Sequence, residues 1–298
     1  MRWRDVHGIL LLDKPQGLSS NQALQKARFL YRAAKGGHTG SLDPLATGLL
    51  PLCFGEATKI AGLLIGSSKA YETECLLGVS TDSADANGKV IEMRPVPELD
   101  VDAIESALQP FRGRIQQVPP MYSALKRDGE RLYELARRGE KIEIEARDVD
   151  VHRFDLIERQ GERPRLHVEC GSGTYVRSLV SDLGESLGCG AHVTALRRLW
   201  VDPFRTPEMV TLEDLEAAAT QGVEALDQLL MPLEAGLRGY PEVVLNDAEA
   251  TRLRQGQSIP VSIEAGTCLA KSADGRLLAL AETGSNGLLR TLRGFNLD

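Results

Sequence analysis

One short stretch, residues 36–51 (GGHTGSLDPLATGLLP), places a single carboxylate among several glycines. The carboxylate is Asp43, and Pro44 follows it directly. Because a proline disfavours the α conformation in the residue before it, Asp43 is predicted to be extended and to lie in a loop. Glycines allow unusual backbone dihedrals and the close approach of a ligand. A carboxylate held in such a loop is a candidate nucleophile or general base.

A purely structural role for Asp43 is the alternative interpretation. Aspartate is a good N-cap, and proline suits the first helical position because its missing N–H would be unpaired there anyway. On this interpretation, Asp43 caps a helix that begins at Pro44. Both interpretations follow from the same dipeptide, and the surrounding glycines favour the chemical one.

A second candidate stretch lies near residue 175. Thr174 is predicted to cap a helix that ends near Gly188, which places Tyr175 and Arg177 in its first turn. An arginine at a helix start opposes the helix dipole, and this small conflict fits a side chain that meets an anion. The preceding GSG lacks the third glycine of a dinucleotide-binding fingerprint, so it predicts no nucleotide cofactor.

The sequence predicts no metal site. The five cysteines and five histidines are scattered, without a C-x-x-C pair or other metal-ligand spacing. The segment STDSADANGKV at 80–90 carries two acids, but they do not fit the spacing of a calcium loop, so a turn is predicted. Reduced, mostly buried thiols and a cytoplasmic protein are the expectation.

Several of these stretches resemble the TruB-type tRNA pseudouridine synthases, and the resemblance is dense over roughly residues 7–205. The residues TGSLDPLATGLLP resemble the catalytic motif of that family. The other matching stretches follow in order: GILLLDKPQGLSS at 8–20, the strand around Tyr71, VPPMYSALKRDGERLYELARRGE at 118–140 and GTYVRSLVSDLG at 173–184.

The resemblance implies an isomerase that converts uridine to pseudouridine at position 55 in the T-arm of tRNA. The bond from uracil N1 to the sugar breaks, the base rotates, and it rejoins through C5. The target base must leave its stack for this to happen. No electrons are transferred, so no cofactor is expected. The expected partner is tRNA, and no protein partner is implied.

The resemblance also implies roles for the catalytic residues. Asp43 is the essential carboxylate, and Arg177 pairs with it and keeps it ionised. Tyr175 lies beside the base and is a candidate for proton transfer. Lys14 supports the structure. Three roles for Asp43 stay open: attack on the sugar, attack on the base, and removal of a sugar proton.

Further residues are implied to bind the substrate. Tyr71 stacks on the uracil, Leu196 packs against it, and His38 enters the RNA near the space that the flipped nucleotide leaves. From residues alone, a tyrosine on a strand face is usually part of the core. Residues 119–147 are implied to be an insertion that grips RNA, with basic candidates Lys126, Arg127, Arg131, Arg137 and Arg138.

The charge distribution is compatible with an RNA partner, although the formal net charge is −7. Residues 206–237 carry seven acids and no lysine or arginine, and this equals the whole excess of acids. Residues 112–138 carry seven bases and three acids. Local basic faces matter more for phosphate contacts than the total charge does. No apolar run approaches the roughly 18 residues needed to span a bilayer.

The predicted fold is α+β. A mixed, mainly antiparallel central sheet is flanked by helices in residues 1–240, and a small, mostly β, PUA-like domain follows in residues 241–298. Apolar runs predict strands near 8–14, 49–54, 70–78, 141–158, 165–170 and 192–204. Helices are predicted from Ser19 or Ser20 to Gly36-Gly37, and near 55–66, 100–113, 129–140 and 173–188, with 206–237 mainly helical.

Two other classes of function remain as alternatives. The first is a protein that binds or folds RNA and whose chemistry is incidental. The second is a carboxylate hydrolase of nucleosides or glycosides, which usually needs a partner carboxylate. No second acid lies beside Asp43 in its motif.

Overall fold

A computed structural model describes residues 2–297 except 124, 128 and 141, and it leaves out the side chains of Lys126, Arg131 and Arg137. The strands lie at β1 Gly8–Lys14, β2 Gly36–His38, β3 Thr47–Phe54, β4 Lys69–Leu77, β5 Val79–Thr81, β6 Val90–Met93, β7 Gly113–Gln117, β8 Lys126–Arg127, β9 Glu130–Arg131, β10 Arg147–Glu158, β11 Arg165–Cys170, β12 Ala191–Val201, β13 Glu242–Leu245, β14 Ile259–Pro260, β15 Gly266–Ser272, β16 Leu277–Thr283 and β17 Leu288–Gly294.

The helices lie at α1 Ser20–Tyr31, α2 Ala61–Ile65, α3 Val101–Leu108, α4 Leu132–Arg137, α5 Val176–Ser186, α6 Leu212–Gln221, α7 Val223–Asp227 and α8 Asp247–Arg254, with 3-10 turns at Gly55–Ile60, Gln109–Phe111 and Leu233–Leu237. Within the described residues, no helix is long and apolar enough to cross a membrane.

The central sheet has the strand order β1-β3-β12-β4-β11-β10-β7, and β2 pairs with β3. The pairs are antiparallel except for the short parallel contact between β12 and β3. This mixed, mainly antiparallel sheet with flanking helices confirms the predicted fold class.

Both faces of the central sheet are covered, and β1 shows why its sequence is an unbroken apolar run. Leu10 and Leu12 join the core beneath α1, α5 and α6, while Ile9 and Leu11 join a second core on the opposite face. A strand buried on both faces reads as continuous hydrophobic residues rather than an alternation.

A second sheet occupies residues 242–294, with the order β13-β15-β16-β17-β14. It has its own core around α8, and it also contributes Leu269, Leu280 and Phe295 to the core behind β1 and β3. The predicted mostly β composition of this part is confirmed. The boundary at residue 240 stays a prediction.

Two local predictions are wrong, and a third is confirmed. Helix α1 ends at Tyr31, because Arg32 takes a left-handed conformation (φ 50°), and Gly36-Gly37 lie in β2 instead. Thr174 does not cap α5, which begins after Tyr175 without a side-chain cap. The turn predicted at 80–90 is confirmed, and it joins β5 and β6 in a hairpin.

Candidate active site

Asp43 lies in the loop between β2 and β3, and this loop is fastened from the start of α1. The hydroxyl of Ser20 accepts a hydrogen bond from Leu42 N (2.7 Å) and donates one to Leu42 O (3.1 Å). Gly17 N donates to Pro44 O at 2.7 Å. These contacts, one on each side of Asp43, fix the backbone that carries the carboxylate.

The prediction that Asp43 caps a helix is wrong. After Asp43, the chain makes a turn in which Ala46 N donates to Asp43 O at 3.0 Å, and it then enters β3. All residues from 39 to 47 are described, and none of them is helical. The carboxylate of Asp43 therefore has no helix end to cap.

Arg177 is the charged partner of Asp43, and the protein holds it firmly. Its Nε lies 2.9 Å from Asp43 Oδ2, although the N–H is not aligned for a hydrogen bond, so this is a charge contact. Its Nη1 donates to Ser83 O at 2.8 Å and its Nη2 to Tyr122 O at 2.7 Å. The side chain of Arg177 is 4% exposed and that of Asp43 is 40% exposed. Asp43 is thus the member of the pair that a substrate can reach.

Asp85 is a second acidic residue close to Arg177, and the sequence analysis missed it. Its Oδ2 lies 3.7 Å from Arg177 Nη1, and its Oδ1 accepts hydrogen bonds from Ser83 Oγ and Asn87 N. The loop of the β5–β6 hairpin reaches this place because Ala86 N donates to Val193 O in β12. With 7% of its side chain exposed, Asp85 balances the charge of Arg177 and is closed to substrate.

The balance of these charges sets the pKa of Asp43. Burial raises the pKa of its carboxyl above the ordinary value, and the Arg177 guanidinium opposes that rise. The charge of Asp85 adds to the rise, while Lys14 acts in the same direction as Arg177. Water reaches part of the carboxylate, but protein atoms surround it closely enough for burial to dominate.

Lys14 ends β1 and holds the connection to α1 together. Its side chain is fully buried, and its ammonium donates to Pro15 O at 2.8 Å and Leu18 O at 2.7 Å. Burial lowers the pKa of Lys14 to about 8, against the opposing effect of Asp43. These bonds agree with a supporting role.

Tyr71 and Leu196 lie on adjacent strands of the central sheet. In the antiparallel register of β4 with β12, Tyr71 pairs with Arg198 and Thr73 pairs with Leu196. Tyr71 and Leu196 are each 8% exposed. Burial raises the pKa of Tyr71, and Arg198 lowers it, with a further rise from the charge of Asp43.

Arg198 is a second residue that the sequence analysis missed. It is 1% exposed, and its Nε donates to Leu49 O at 2.6 Å. Period-two alternation could have found it, because Arg198 shares a strand face with the buried Leu196. A Cβ at Gly48 (φ 95°) would lie 2.2 Å from Arg198 O, so only glycine lets β3 approach β12 here.

Tyr175 and His38 are the two remaining predicted substrate-binding residues. Tyr175 is half-buried, and the guanidinium carbon of Arg147 lies 5.3 Å from its ring centroid. His38 is half-buried in β2, and its Nδ1 has no hydrogen-bond partner among the described residues. Burial and then the charge of Arg198 lower the pKa of His38, which favours the neutral imidazole.

The structure describes only part of the predicted RNA-gripping residues. The side chains of Lys126, Arg131 and Arg137 lie outside the described part. Arg127 donates to Glu143 O at 2.7 Å, and Arg138 pairs with Glu130 and Glu140 on the surface. The RNA-binding role of all five stays a prediction.

The arrangement offers one reachable carboxylate and a fixed guanidinium beside it. Among the described residues, no cluster of three or more His, Cys, Asp or Glu could hold a metal. A glycosidase-type pair needs two carboxyl groups that flank the substrate. Asp85 is buried beside Arg177 Nη1 and closed to substrate, so Asp43 and Asp85 do not form such a pair. The site suits chemistry at a single carboxylate.

Comparison with known proteins defines the class and then the family. Solved structures share the fold: the chain in "Crystal Structure of a Cbf5-Nop10-Gar1 Complex" aligns with a TM-score of 0.73 at 25% identity, over 94% of this chain and 79% of that one. The family model "TruB family pseudouridylate synthase (N terminal domain)" matches residues 28–176, and "tRNA pseudouridylate synthase B C-terminal domain" matches residues 177–238.

Curated relatives extend the match over almost the whole chain. The "tRNA pseudouridine synthase B" of Xanthomonas euvesicatoria pv. vesicatoria is 57% identical over 295 residues, which cover 99% of this chain and 96% of the relative. The protein of the same name from Xylella fastidiosa is 54% identical over 99% of this chain and 98% of the relative. The chain therefore belongs to the TruB family of pseudouridylate synthases.

Proposed function

We propose that this chain converts the uridine at position 55 in the T-arm of tRNA to pseudouridine, with Asp43 as the essential residue. The observation that carries the proposal is the ion pair at 2.9 Å between the reachable Asp43 and the buried Arg177. The names of the relatives support tRNA as the substrate. As tRNA is a cytoplasmic molecule, the proposed place of action is the cytoplasm.

The mechanism assigns each group a task that its environment supports. The target uridine leaves its stack, and Tyr71 and Leu196 receive the base. Arg177 stabilises the ionised form of Asp43 against the opposing effect of burial. The ionised Asp43 then acts on the flipped nucleotide: the bond from N1 to the sugar breaks, the base rotates, and C5 bonds to the same sugar carbon. C5 then loses its proton and N1 gains one, so the reaction balances. Tyr175 lies beside the base and assists proton transfer.

Binding of the remaining tRNA is assigned to surfaces away from the carboxylate. The insertion at 119–147 is proposed to grip the T-arm through its arginines and lysine, since phosphate contacts supply much of the affinity for nucleic acids. Residues 241–298 are proposed to be a separate PUA-like unit that adds further RNA contacts.

An unmodified tRNA transcript tests the proposal directly. The protein is incubated with the transcript without added metal or nucleotide, and pseudouridine is mapped by chemical labelling. We expect a single modified position in the T-arm, at 55, and the same yield in the presence of a chelator. A transcript that carries cytidine at this position is the control.

Two results would contradict the proposal. The first is the absence of pseudouridine after the protein is shown to bind the transcript, which favours an RNA-binding protein without essential chemistry. The second is activity that a chelator abolishes and metal restores, with the melting curve of the transcript unchanged by the chelator.

A further inference from the structure

The two ends of the insertion meet at Tyr175. Gln117 ends β7 two residues before the insertion, and Arg147 is the last residue of the insertion, at the start of β10. Gln117 Oε1 accepts a hydrogen bond from Tyr175 N at 2.8 Å, and Gln117 Nε2 donates to Tyr175 O at 3.1 Å. Arg147 lies over the ring of Tyr175 and donates to Gly173 O at 2.5 Å.

The bond from Tyr175 N matters because of where Tyr175 stands in α5. It is the N-cap residue, and it has no side-chain cap of its own. Its carbonyl also accepts the first helical bond, from Leu179 N at 3.1 Å. Its N–H depends on Gln117, which is 1% exposed. A buried amide can satisfy both backbone groups of one residue and so fix the direction in which its side chain leaves the chain.

Neighbouring contacts fasten the same end of the insertion to α5 without touching Tyr175. Ser178 Oγ donates to Val118 O at 2.9 Å, and Arg177 Nη2 donates to Tyr122 O at 2.7 Å. The base of the insertion and the helix that carries Arg177 therefore form one packed unit. Ser178 gives a matched control, because its hydroxyl bonds to Val118, the residue next to Gln117, and not to Tyr175.

We infer that Gln117 is a positioning residue for Tyr175, and that it links the RNA-gripping insertion to the placement of the ring beside the base. The inference rests on the proposed function, because Tyr175 matters only if a base occupies the site. It assigns Gln117 an effect on turnover rather than on tRNA affinity. Displacing a substrate-contacting group by about 1 Å can cost roughly a hundredfold in rate.

The test compares Gln117→Met with Ser178→Ala. Methionine is close to glutamine in size and makes neither bond to Tyr175. We expect single-turnover pseudouridine formation to fall about tenfold to a hundredfold in Gln117→Met, with tRNA Kd within about twofold of wild type. Ser178→Ala is expected to keep the wild-type rate. Thermal midpoints of both variants show whether any loss follows stability instead.

A double-mutant cycle with Tyr175→Ala completes the test, with rates followed over hours. If Gln117 acts through the ring, Gln117→Met adds nothing once the ring is absent. An unchanged rate in Gln117→Met, an equal loss in Ser178→Ala, or full additivity with Tyr175→Ala each overturns the inference. If Gln117→Met does not fold, Gln117→Glu, which keeps an acceptor for Tyr175 N, takes its place in the cycle. Inactive wild-type protein would instead count against the proposed function.

Discussion

Asp43 and Arg177 differ in how firmly the protein holds them. Arg177 donates to two backbone carbonyls and lies near Asp85, so removing the charge of Asp43 does not leave the guanidinium without partners. The loss of a single partner from a buried pair can cost about 3–5 kcal/mol. The remaining contacts of Arg177 keep the expected cost of losing Asp43 below that range.

Asp43→Asn is therefore expected to fold, to bind tRNA and to lose turnover. Asparagine has nearly the same shape but does not ionise, and the affinity comes from phosphate contacts elsewhere. The measurements are thermal midpoint, tRNA Kd and single-turnover yield of pseudouridine. A folded, tRNA-binding variant that turns over at nearly the wild-type rate would contradict the catalytic assignment of Asp43.

The dependence of the rate on pH follows from the direction of the Asp43 pKa shift. Burial raises the folded-state pKa above 3.8, so the active carboxylate is present above that raised pKa and is lost as pH falls through it. The acid limb of the single-turnover rate is expected to have its midpoint above 3.8. A midpoint at or below the ordinary aspartate value contradicts this prediction.

Protonation of Asp43 does not unfold the protein, so unfolding caused by this group cannot account for the loss of rate at low pH. A raised carboxyl pKa means that the folded state binds the proton more tightly than the unfolded state does. Protonation of this one group therefore stabilises the folded protein as pH falls. Circular dichroism and tRNA binding, recorded at each pH, separate the rate effect from acid unfolding through other groups.

At the scale of secondary-structure elements, two adjacent serines at the start of α1 have different tasks. Ser19 caps the helix, with its hydroxyl accepting from Gln22 N. Ser20 instead forms both of its bonds with Leu42, next to Asp43. The sequence left open which serine caps the helix, and the structure assigns the cap to Ser19.

Ser19→Ala and Ser20→Ala are expected to separate stability from rate. Ser19→Ala loses a cap, which costs about 1 kcal/mol of unfolding free energy, and keeps the wild-type rate. Ser20→Ala releases the backbone beside Asp43 and lowers the single-turnover rate about tenfold or more. Urea unfolding and single-turnover assays are the measurements. Equal rates in the two variants would show that the Leu42 contact does not position Asp43.

Local sequence patterns were sufficient to predict an element whose structure depends on its own residues. The bounds of β1 and β11 agree with prediction because an apolar or alternating run ends at clear breakers. The helix expected after Asp43 does not form, since Ser20 and Gly17 tie both sides of the turn to other elements. Tertiary contacts there override a local preference.

The parts of the site that were missed depend on contacts between distant segments. Asp85 reads as a turn residue, and only the docking of its hairpin on β12 brings it to Arg177. Gln117 ends β7, a strand that the sequence analysis did not predict, and its partner lies 58 residues further along the chain. Asp43, Tyr71 and Arg177 were identifiable because they lie in motifs shared with a known family.

At the scale of the whole molecule, the insertion at 119–147 is proposed to contact the phosphates of tRNA. Arg138 pairs with Glu130 and Glu140, and all three side chains are about half exposed. Such surface pairs are worth about 0–1 kcal/mol, so a phosphate can replace them. Residues 206–237 carry seven acids and no lysine or arginine, so this segment is expected to repel phosphate.

Replacing Arg137 and Arg138 together with glutamine is expected to weaken tRNA binding and to flatten its salt dependence. Each lost phosphate contact reduces the slope of log affinity against log salt by about 0.7–0.9. The control is Arg153→Gln, which removes a similar exposed arginine–aspartate pair on β10. If the double variant and the control have the same slope as the wild type, these arginines do not contact phosphate.

The contact between the 3-10 turn that follows β3 and the last described residues has a consequence for how the protein is made. Asn296 N donates to Glu56 Oε2 across 240 residues of sequence, and Gly294 O accepts from Lys59 Nζ. At roughly 5–20 residues per second, the ribosome needs about 12–48 s to add the intervening chain. The face of β3 that carries Leu49 and Cys53 therefore leaves the ribosome before Leu269, Leu280 and Phe295, which share its core, have been added.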